Sequence, residues 1–388
     1  MVDGTLKFYL AYEARNYIKK NWKPQLNSDS LRDDQRLAIW DVYKKPPIDG
    51  LLISYHPLKT RGPRKHVEKI EKLGVHEAIG YRGTIIADSG AFSYVSEEEP
   101  PFDTSVLLEY YDRCGFDIGA TMDHLILGQI EKDEEERKRR YNITLKNAEK
   151  MHKEWLELYQ DSFSLMGAIQ GWDPKSYGDA AERLMERGFN YLGIGGLAGA
   201  STEKLASVVK EVDLRRKSIG ADVKIHVFGV SPIRQGSMEL LKSFRANGVD
   251  SFDTSIMLRQ AWSRIESNFI LGTKQYTALR VPMVLDDEKA MKILEEIRNY
   301  AKSSNNYTSL TKELLAVANK GKNWRKLYEK TLKDRPWEQC KCSICREFGV
   351  DVLVFRGNER NMRRGFHNVW QFYNFLLNDE SLQKTKTP

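Results

Sequence analysis

Residues 165–196 contain the sequence pattern that is most informative about the fold. It begins with Leu165-Met-Gly-Ala-Ile-Gln170-Gly171, continues through a helical segment around Ala180 to Arg187, and ends with Tyr191-Leu-Gly-Ile-Gly195-Gly196. An apolar strand with a polar or glycine end, followed by an amphipathic helix and another such strand, is typical of parallel strands joined by crossover helices. The stretch therefore predicts one α/β repeat.

The same unit recurs along most of the chain. The predicted strands lie at residues 7–12, 51–56, 85–92, 118–123, 165–171, 191–196, 224–229 and 249–254. Eight strands in roughly 250 residues, alternating with charged helical segments, favour an α/β fold of the (β/α)8 TIM-barrel type. A doubly wound open sheet is the alternative.

The domain organisation follows from the same pattern. Charged helices are predicted at 286–303 and 308–332 and an aromatic helix at 369–377, whereas residues 12–48 have no clear pattern. We expect a barrel catalytic domain at 1–334, with extra helices after the eighth strand. A zinc-binding subdomain with the final helix is expected at 335–388.

Unusual residues follow six of the predicted strands. Taken singly, an aspartate after a strand is more often a turn or helix-cap residue than a catalyst. The C-terminal ends of barrel strands, however, converge on one face, where barrel active sites are built. We therefore expect a single pocket lined by three carboxylates, one amide and glycine backbone, from Asp88, Asp123, Gln170, Gly195 with Gly196, Gly229 and Asp253.

A cysteine cluster lies near the C-terminus. Cys340, Cys342 and Cys345 are three of the four cysteines of the chain, and His367 follows 22 residues later. Three thiolates and one imidazole form the closed set of four ligands that tetrahedral zinc prefers, and such a set leaves no position open for a catalytic water. We expect a structural Zn²⁺; the alternative is a chance cluster of reduced thiols.

The composition is that of a basic globular protein. Of 388 residues, 41% are hydrophobic and 30% are charged, with a net charge of +7 at pH 7. No apolar run approaches the ~20 residues that a membrane span needs, and the first residues lack the pattern of a signal peptide. With few, clustered cysteines, these features predict a cytoplasmic protein with no membrane partner.

The basic charge is also compatible with a polyanionic partner. The densest group of arginines lies between Cys345 and His367. We expect a loop there that is held by the metal and presents four side chains to phosphates, Arg356, Arg360, Arg363 and Arg364.

Short motifs, taken in order, resemble those of the tRNA-guanine transglycosylase superfamily over about residues 50–370. They are Asp88-Ser-Gly-Ala-Phe92, Gly167-Ala-Ile-Gln170-Gly171, Gly193-Ile-Gly-Gly-Leu-Ala198, Phe228-Gly-Val230, Gly248-Val-Asp-Ser-Phe-Asp253 and the three cysteines with His367. The resemblance implies a (β/α)8 barrel with a structural zinc subdomain. It also implies exchange of a guanine in a polynucleotide for a 7-substituted 7-deazaguanine.

The resemblance implies a role for each strand-end residue. Asp253 matches the nucleophile that traps the sugar as a covalent glycosyl-enzyme. Asp88 matches the acid/base group that protonates the departing base and deprotonates the incoming one. The positions that match the base pocket are Phe92, which would stack on the base, Asp123, Gln170, Gly195, Gly196, Phe228 and Gly229.

The chain departs from the tRNA enzymes around the polynucleotide. It has Ser-Gly-Ala-Phe-Ser at 89–93 where they have Ser-Gly-Gly-Phe-Gln, and Thr254-Ser-Ile-Met-Leu-Arg259 where they have a Pro-Thr-Arg run. Arg259 is a further candidate for contact with nucleic acid. These departures favour the branch that acts on DNA and inserts 7-cyano-7-deazaguanine (preQ0) or a relative.

Two alternative functions remain, a transglycosylase that acts on tRNA and a catalytically silent nucleic-acid-binding subunit. The expected partners are DNA, or alternatively tRNA, and the free 7-deazaguanine base as co-substrate. A homodimer and a helicase-like ATPase partner are left open.

Overall fold

The protein is described from a computed structural model, which covers residues 6–14, 16–20, 35–231, 237–263, 266–303, 306–319 and 321–379. Contacts divide these residues into two compact units. The first unit holds residues 6–14, 48–255 and 377–379, and the second holds 16–47 and 256–376, in each case as far as they are described.

The first unit is a closed barrel of parallel strands, which confirms the predicted TIM-barrel fold. Each strand pairs in parallel with its neighbour in chain order, and the last pairs with the first, so the open-sheet alternative is excluded. The eight barrel strands in the described residues are β1 (Lys7–Ala11), β2 (Gly50–Ser54), β3 (Thr84–Asp88), β4 (Ile118–Ala120), β5 (Ser164–Ile169), β6 (Tyr191–Ile194), β7 (Lys224–Val227) and β8 (Ser251–Thr254).

Helices connect the strands of the barrel, as the alternating pattern predicts. In helix Thr104–Cys114 the residues Leu107, Leu108 and Tyr111 are fully buried, because a period of 3.6 residues brings them to one face. The helix ends at Gly115, which adopts the left-handed conformation at φ 69°. The helices of this unit are Tyr55–Arg61, Arg64–Leu73, Val75–Ile79, Ala91–Tyr94 (3₁₀), Thr104–Cys114, Gln129–Lys132, Glu134–Leu158, Pro174–Glu186, Thr202–Ile219 and Ser237–Ala246.

The interior of the barrel is filled by side chains, and Phe228 packs against them. Gly193 shows how closely they fit, since a Cβ atom there would lie 2.4 Å from the ring of Phe228 and 2.9 Å from the sulfur of Met166. The barrel is therefore a packed core and leaves its chemistry to the strand ends. The buried residues of this core are Tyr9, Leu52, Ile86, Ile118, Ala120, Met166 and Tyr191.

The second unit contains short strands and the helices that follow the barrel. Its strands are Ile18–Lys19, Arg36–Leu37, Phe269–Leu271, Lys274–Tyr276, Leu279–Arg280 and Val354–Phe355. Its helices are Ile39–Val42, Ile256–Ser263, Asp287–Ser303, Tyr307–Val317, Lys322–Asp334, Pro336–Gln339, Ser343–Phe348, Gly349–Leu353 (3₁₀) and Gly357–Asn378.

Two predicted helices differ from those observed. The segment 308–332 forms two helices, because Asn319 takes a positive φ of 49° and Gly321 precedes the second helix. The final helix begins at Gly357, twelve residues before the predicted start at residue 369. The compact units divide at residue 256, and the domain boundary after residue 334 stays a prediction.

None of the helices in the described ranges is both long enough and apolar enough to cross a bilayer.

Candidate active site and metal centre

A cavity of about 550 Å³ lies beyond the C-terminal ends of the barrel strands. A volume of this size suits a small organic ligand such as a nucleobase. Gln170 does not line the cavity, but its Nε2 donates to Oδ2 of Asp123 at 2.6 Å. The other eight predicted catalytic and base-binding residues all line it: Asp88, Phe92, Asp123, Gly195, Gly196, Phe228, Gly229 and Asp253. The structure brings these residues together, and their chemical roles stay predictions.

Asp253 lies in β8 and is 5% exposed. Its Oδ1 accepts a hydrogen bond from the backbone N–H of Gly229 at 2.9 Å and lies 3.3 Å from Nε2 of His226. No group in the described ranges donates to Oδ2, and the side chain lines the cavity. One carboxylate oxygen of Asp253 is thus held by hydrogen bonds, whereas the other has no such partner among the described residues.

Asp88 ends β3 and has a buried Oδ1 without a hydrogen-bond partner in the described part of the chain. Burial raises the pKa of Asp88 to about 7, and the charges of Asp123 and Asp253 act in the same direction. Hydrogen bonds from the Ser54 side chain and the Gly90 backbone oppose this rise in the pKa. A carboxyl group with a pKa near neutrality can both give and take a proton.

Asp123 has a different environment. Its carboxylate accepts from the Ser89 hydroxyl at 3.1 Å and from Gln170 Nε2 at 2.6 Å. Burial raises the pKa of Asp123, whereas these two hydrogen bonds lower it. Tyr94 donates to the Ser89 oxygen at 2.7 Å and so supports the same arrangement. Asp123 is therefore fixed as an acceptor at the cavity wall.

Phe92 is 68% exposed although it is a large apolar side chain. It lies in the 3₁₀ helix Ala91–Tyr94 and lines the cavity, where a flat ring can stack on a planar ligand. The Ser93 hydroxyl donates to the Gly90 carbonyl at 2.6 Å, which ties this turn together. The exposed ring is thus presented by an ordered turn.

Gly196 contributes backbone, and no side chain, to the wall of the cavity. It has a positive φ of 72°, and a Cβ atom there would lie 2.2 Å from Oε1 of Gln170. That Oε1 is buried and has no hydrogen-bond partner in the described part of the chain. A side chain at Gly196 would therefore displace Gln170, which also holds Asp123.

The predicted metal ligands form a compact, buried group in the second unit. The ligand atoms of Cys340, Cys342, Cys345 and His367 all lie within 4.8 Å of one another. The three sulfurs are 3.4, 3.5 and 3.3 Å from Nδ1 of His367. Tetrahedral coordination with ordinary Zn–S and Zn–N bonds requires about 3.5 Å between sulfur and nitrogen ligands. The residues present therefore fit a four-coordinate metal.

Outer contacts orient these ligands. His367 Nε2–H donates to the carbonyl of Ile270 at 2.7 Å, which leaves Nδ1 as the ligand atom. Gln371 Nε2 donates to the Cys340 sulfur at 3.1 Å, and the Cys345 N–H donates to the Cys342 sulfur at 3.3 Å. Such N–H···S bonds are the second-sphere support expected for thiolates that hold a metal.

The prediction that a loop presents four arginines to phosphates is wrong. Residues 357–364 begin the helix Gly357–Asn378, and the four predicted phosphate contacts are buried. A helical period of 3.6 residues places residues 360, 363 and 364 on the face of His367, which is buried beside the three cysteines. The exposed fractions are 4% for Arg356, 3% for Arg360, 3% for Arg363 and 0% for Arg364.

The guanidinium groups bind within the second unit. Arg364 donates to the carbonyls of Ala261 at 2.8 Å and Val352 at 2.9 Å, and Arg360 pairs with Asp351 at 3.3 Å. These arginines therefore organise the protein interior. Arg259, in contrast, is exposed on the helix Ile256–Ser263.

His226 is the residue of the site that sequence reasoning missed. A histidine in the apolar strand β7 looks like a core residue. Its position two residues before Phe228 was the available indication, because alternate residues of a strand face the same side. Phe228 lines the cavity, and His226 contacts Asp253.

A closed (β/α)8 barrel with carboxylates at its strand ends, together with a separate Cys₃His group, defines the class of the protein as a barrel enzyme with a structural type of metal site. The model of the family described as "Queuine tRNA-ribosyltransferase" matches residues 51–376. The chain belongs to this family, and the expected enzyme class, a guanine transglycosylase, is confirmed.

Individual relatives carry two different names. The chain is 32% identical over 331 residues to a "DNA-guanine transglycosylase" of Salmonella montevideo, with 77% of each chain covered. It is 28% identical to a "tRNA-guanine(15) transglycosylase" of Korarchaeum cryptofilum, with 53% of this chain and 33% of that protein covered. For the protein of the same name from Nanoarchaeum equitans the identity is 27%, with 49% and 44% covered. The chain thus spans less than half the length of these two tRNA enzymes.

Replacement of Cys345 by serine should remove the metal. We expect the metal content to fall from about one ion per chain to nearly zero and the melting temperature to drop by ~5 °C or more, because metal binding contributes directly to folding. Inductively coupled plasma mass spectrometry and thermal unfolding measure the two effects. The matched control is Cys114→Ser, which changes the remaining cysteine, outside the cluster. Full metal content in Cys345→Ser would show that the cluster is not the ligand set.

Replacement of Arg364 by leucine should destabilise the protein by about 2–4 kcal/mol, because buried carbonyl groups lose their donors. Chemical denaturation measures this loss. In Arg259→Leu, where the side chain is exposed, the free energy of unfolding should change by less than ~0.5 kcal/mol. If Arg364→Leu kept its stability and lost affinity for nucleic acid, the interior role of Arg364 would be refuted.

Proposed function

We propose that the protein exchanges guanine in DNA for a 7-deazaguanine, 7-cyano-7-deazaguanine or a relative, through a covalent glycosyl ester on Asp253. The observation that carries the proposal is the pairing of two unlike carboxyl groups in one cavity. Asp253 has one oxygen held by the Gly229 N–H, and Asp88 has a pKa raised to about 7. These are the properties of a nucleophile and of an acid/base group.

In the first step, Oδ2 of Asp253 attacks C1′ of the target nucleotide. The C1′–N9 bond breaks, its electron pair goes to the guanine, and the proton of Asp88 neutralises the departing base. The products are a glycosyl ester on Asp253, free guanine and an ionised Asp88. A covalent intermediate divides the difficult displacement into two easier ones.

In the second step, the incoming 7-deazaguanine gives its N9 proton to Asp88, and N9 attacks C1′. The C1′–Oδ2 bond breaks and its electron pair returns to the Asp253 carboxylate. Two inversions at C1′ retain the configuration of the linkage. Both carboxyl groups return to their initial protonation states, and no water is consumed.

The remaining residues of the cavity would bind the base. Asp123 can accept from N1–H and N2–H of a guanine-like ring, and the Gly196 N–H can donate to its O6. Gln170, which does not line the cavity itself, would act on the base through Asp123, to which its Nε2 donates. Phe92 would stack on the base once the nucleotide has left the helix. Guanine and 7-deazaguanine share all of these contacts, so both can occupy the cavity in turn.

The choice of DNA is supported by the extent of similarity to the relatives. The protein named DNA-guanine transglycosylase is matched over 77% of its length, whereas the two tRNA-guanine(15) transglycosylases are matched over 33% and 44% of theirs. tRNA is the second candidate substrate, and the description of the family supports it. A silent subunit would have no use for two unlike carboxyl groups in one cavity. Arg259 is the remaining proposed contact to nucleic acid.

The proposal also includes the metal and the location. We assign Zn²⁺ to the Cys₃His group, because three sulfurs and one imidazole nitrogen in tetrahedral reach are its preferred ligands. With four protein ligands it would stabilise the fold and take no part in base exchange. Thiolates stay available to a metal in a reducing compartment, which supports a cytoplasmic location.

Replacement of Asp253 by asparagine should lower the rate of base exchange at least ~10³-fold while binding of nucleic acid persists, because the isosteric amide cannot form the ester. Incorporation of labelled guanine into duplex DNA, single-stranded DNA and bulk tRNA measures exchange. Asp161→Asn, at an exposed aspartate of the same unit, should be fully active.

Two outcomes would contradict the proposal. Exchange by Asp253→Asn at the wild-type rate would show that Asp253 is not the nucleophile. Incorporation by the wild-type protein into tRNA alone would leave the chemistry intact but refute DNA as the substrate.

Formation of the covalent adduct should fall as the pH rises through about 7. The reason is that Asp88 must be protonated to release guanine, and above its raised pKa the protonated fraction falls tenfold per pH unit. Rapid-quench assays of the adduct between pH 6 and 9 measure this dependence. In Asp88→Asn the rate should be low and independent of pH in this range. A rate of adduct formation that increases from pH 6 to 8.5 would contradict the assignment of Asp88 as the acid.

A further inference from the structure

We infer that His226 is a positioning residue for the nucleophile. Its imidazole links a buried serine and tyrosine to Oδ1 of Asp253, and this link fixes which carboxylate oxygen attacks the sugar. The inference rests on the proposed role of Asp253 and adds to it a residue that does not touch the substrate.

The link is built by neighbouring strands. His226 in β7 and Ser251 in β8 are partners in the parallel register, and Asp253 follows two residues later on the same face of β8. The distance from His226 Nδ1 to Ser251 Oγ is 2.8 Å, and the distance from Nε2 to Asp253 Oδ1 is 3.3 Å. The Tyr191 hydroxyl in β6 lies 3.2 Å from Ser251 Oγ.

The ring of His226 has little freedom to turn. It is 0% exposed, and two aromatic rings pack against it, one from β1 and one from the residue that follows β7. Tyr9 packs at 5.9 Å with an interplanar angle of 82°, and Phe228 packs at 4.7 Å with an angle of 67°. The positions of the two ring nitrogens are therefore set by packing as well as by their polar partners.

If the imidazole of His226 is neutral, its hydrogen bonds can be satisfied in a single direction. An ionised Asp253 only accepts, so Nε2 carries the hydrogen and Nδ1 is an acceptor. Ser251 must then donate its hydroxyl hydrogen to Nδ1, and Tyr191 must donate to the oxygen of Ser251. Each hydrogen is used once along the series Tyr191, Ser251, His226 and Asp253, which we call the relay.

The relay has a consequence for the chemistry. The Gly229 nitrogen lies 2.9 Å and the His226 Nε2 lies 3.3 Å from Oδ1 of Asp253. Because both donors bind Oδ1, the attacking atom is Oδ2. After attack, Oδ1 becomes the carbonyl oxygen of the ester and carries less negative charge. Hydrogen bonds to a full carboxylate are stronger than those to an ester carbonyl. The two donors therefore favour the second step, in which the bonding electrons return to the carboxylate, and prevent the ester from accumulating.

Two variants of the full-length protein separate this role from simple packing. In His226→Gln, the side-chain amide nitrogen can take the place of Nε2 and keep a donor on Asp253. In His226→Asn, the shorter amide reaches only the place of Nδ1, so it keeps a contact to Ser251 and leaves Oδ1 with the Gly229 N–H alone. Both variants put an amide at the same buried position.

We expect His226→Asn to lower kcat for base exchange ~10-fold or more, with KM for the free base changed less than ~2-fold. The fraction of enzyme present as the covalent DNA adduct at steady state should rise. His226→Gln should stay within ~3-fold of the wild-type kcat, with an ordinary adduct fraction. Equal losses in both variants without a change in the adduct fraction, or wild-type kinetics in both, would overturn the inference.

A measurement on the wild-type protein covers the case in which the variants fail to fold. In two-bond ¹H–¹⁵N spectra of the histidine-labelled protein, His226 should have a protonated Nε2 and an unprotonated Nδ1. The opposite tautomer would overturn the relay.

Asp253→Asn, assayed in parallel, distinguishes a failure of the relay from a failure of the proposed function. Exchange by Asp253→Asn would refute the nucleophile itself. An inactive Asp253→Asn beside a His226→Asn of wild-type kinetics would refute the relay alone.

Discussion

Three carboxyl groups share one cavity, and the proposed mechanism requires a different chemical state for each, although like charges in a buried site repel one another. The strand ends of the barrel provide each carboxyl group with a different set of hydrogen-bond donors. Asp253 has donors on Oδ1, Asp123 accepts from Ser89 and Gln170, and Oδ1 of Asp88 has no hydrogen-bond partner among the described residues. Burial, reinforced by the charges of Asp123 and Asp253, raises the pKa of Asp88 to about 7. Unlike environments for like groups are the usual origin of acid and base roles.

In the second unit, buried hydrogen bonds join segments that are far apart in sequence. The metal ligand His367 donates to the carbonyl of Ile270, and on the same helix Arg364 donates to the carbonyl of Ala261. Each contact spans about a hundred residues of chain. A buried cation that has no carboxylate partner among the described residues is costly to build, and burial lowers the pKa of Arg364 to about 9. The Cys₃His group and this arginine therefore both connect distant segments of the unit.

The sequence predicted the barrel well because alternating strands and helices leave a strong periodic pattern, and strand-end residues such as Asp88 and Asp253 follow from it directly. The arginines were wrongly predicted to be exposed because polar residues at helical spacing are typical of a solvated loop or surface. Arg360 and Arg364 lie on the same helical face as the buried His367, and this placement in the interior is visible only in the structure. His226 was missed for the opposite reason, since a polar residue within an apolar strand looks like core until its partner Asp253 is placed beside it.

The proposed mechanism requires Asp253 to bear the sugar during exchange. Its most direct test is peptide mapping by mass spectrometry of the covalent protein–DNA species that denaturant traps while guanine is being exchanged. If Asp253 is the nucleophile, a deoxyribose-linked remnant will be found on the peptide that contains Asp253. A remnant on Asp88 or Asp123, or exchange without any covalent species, would contradict this mechanism.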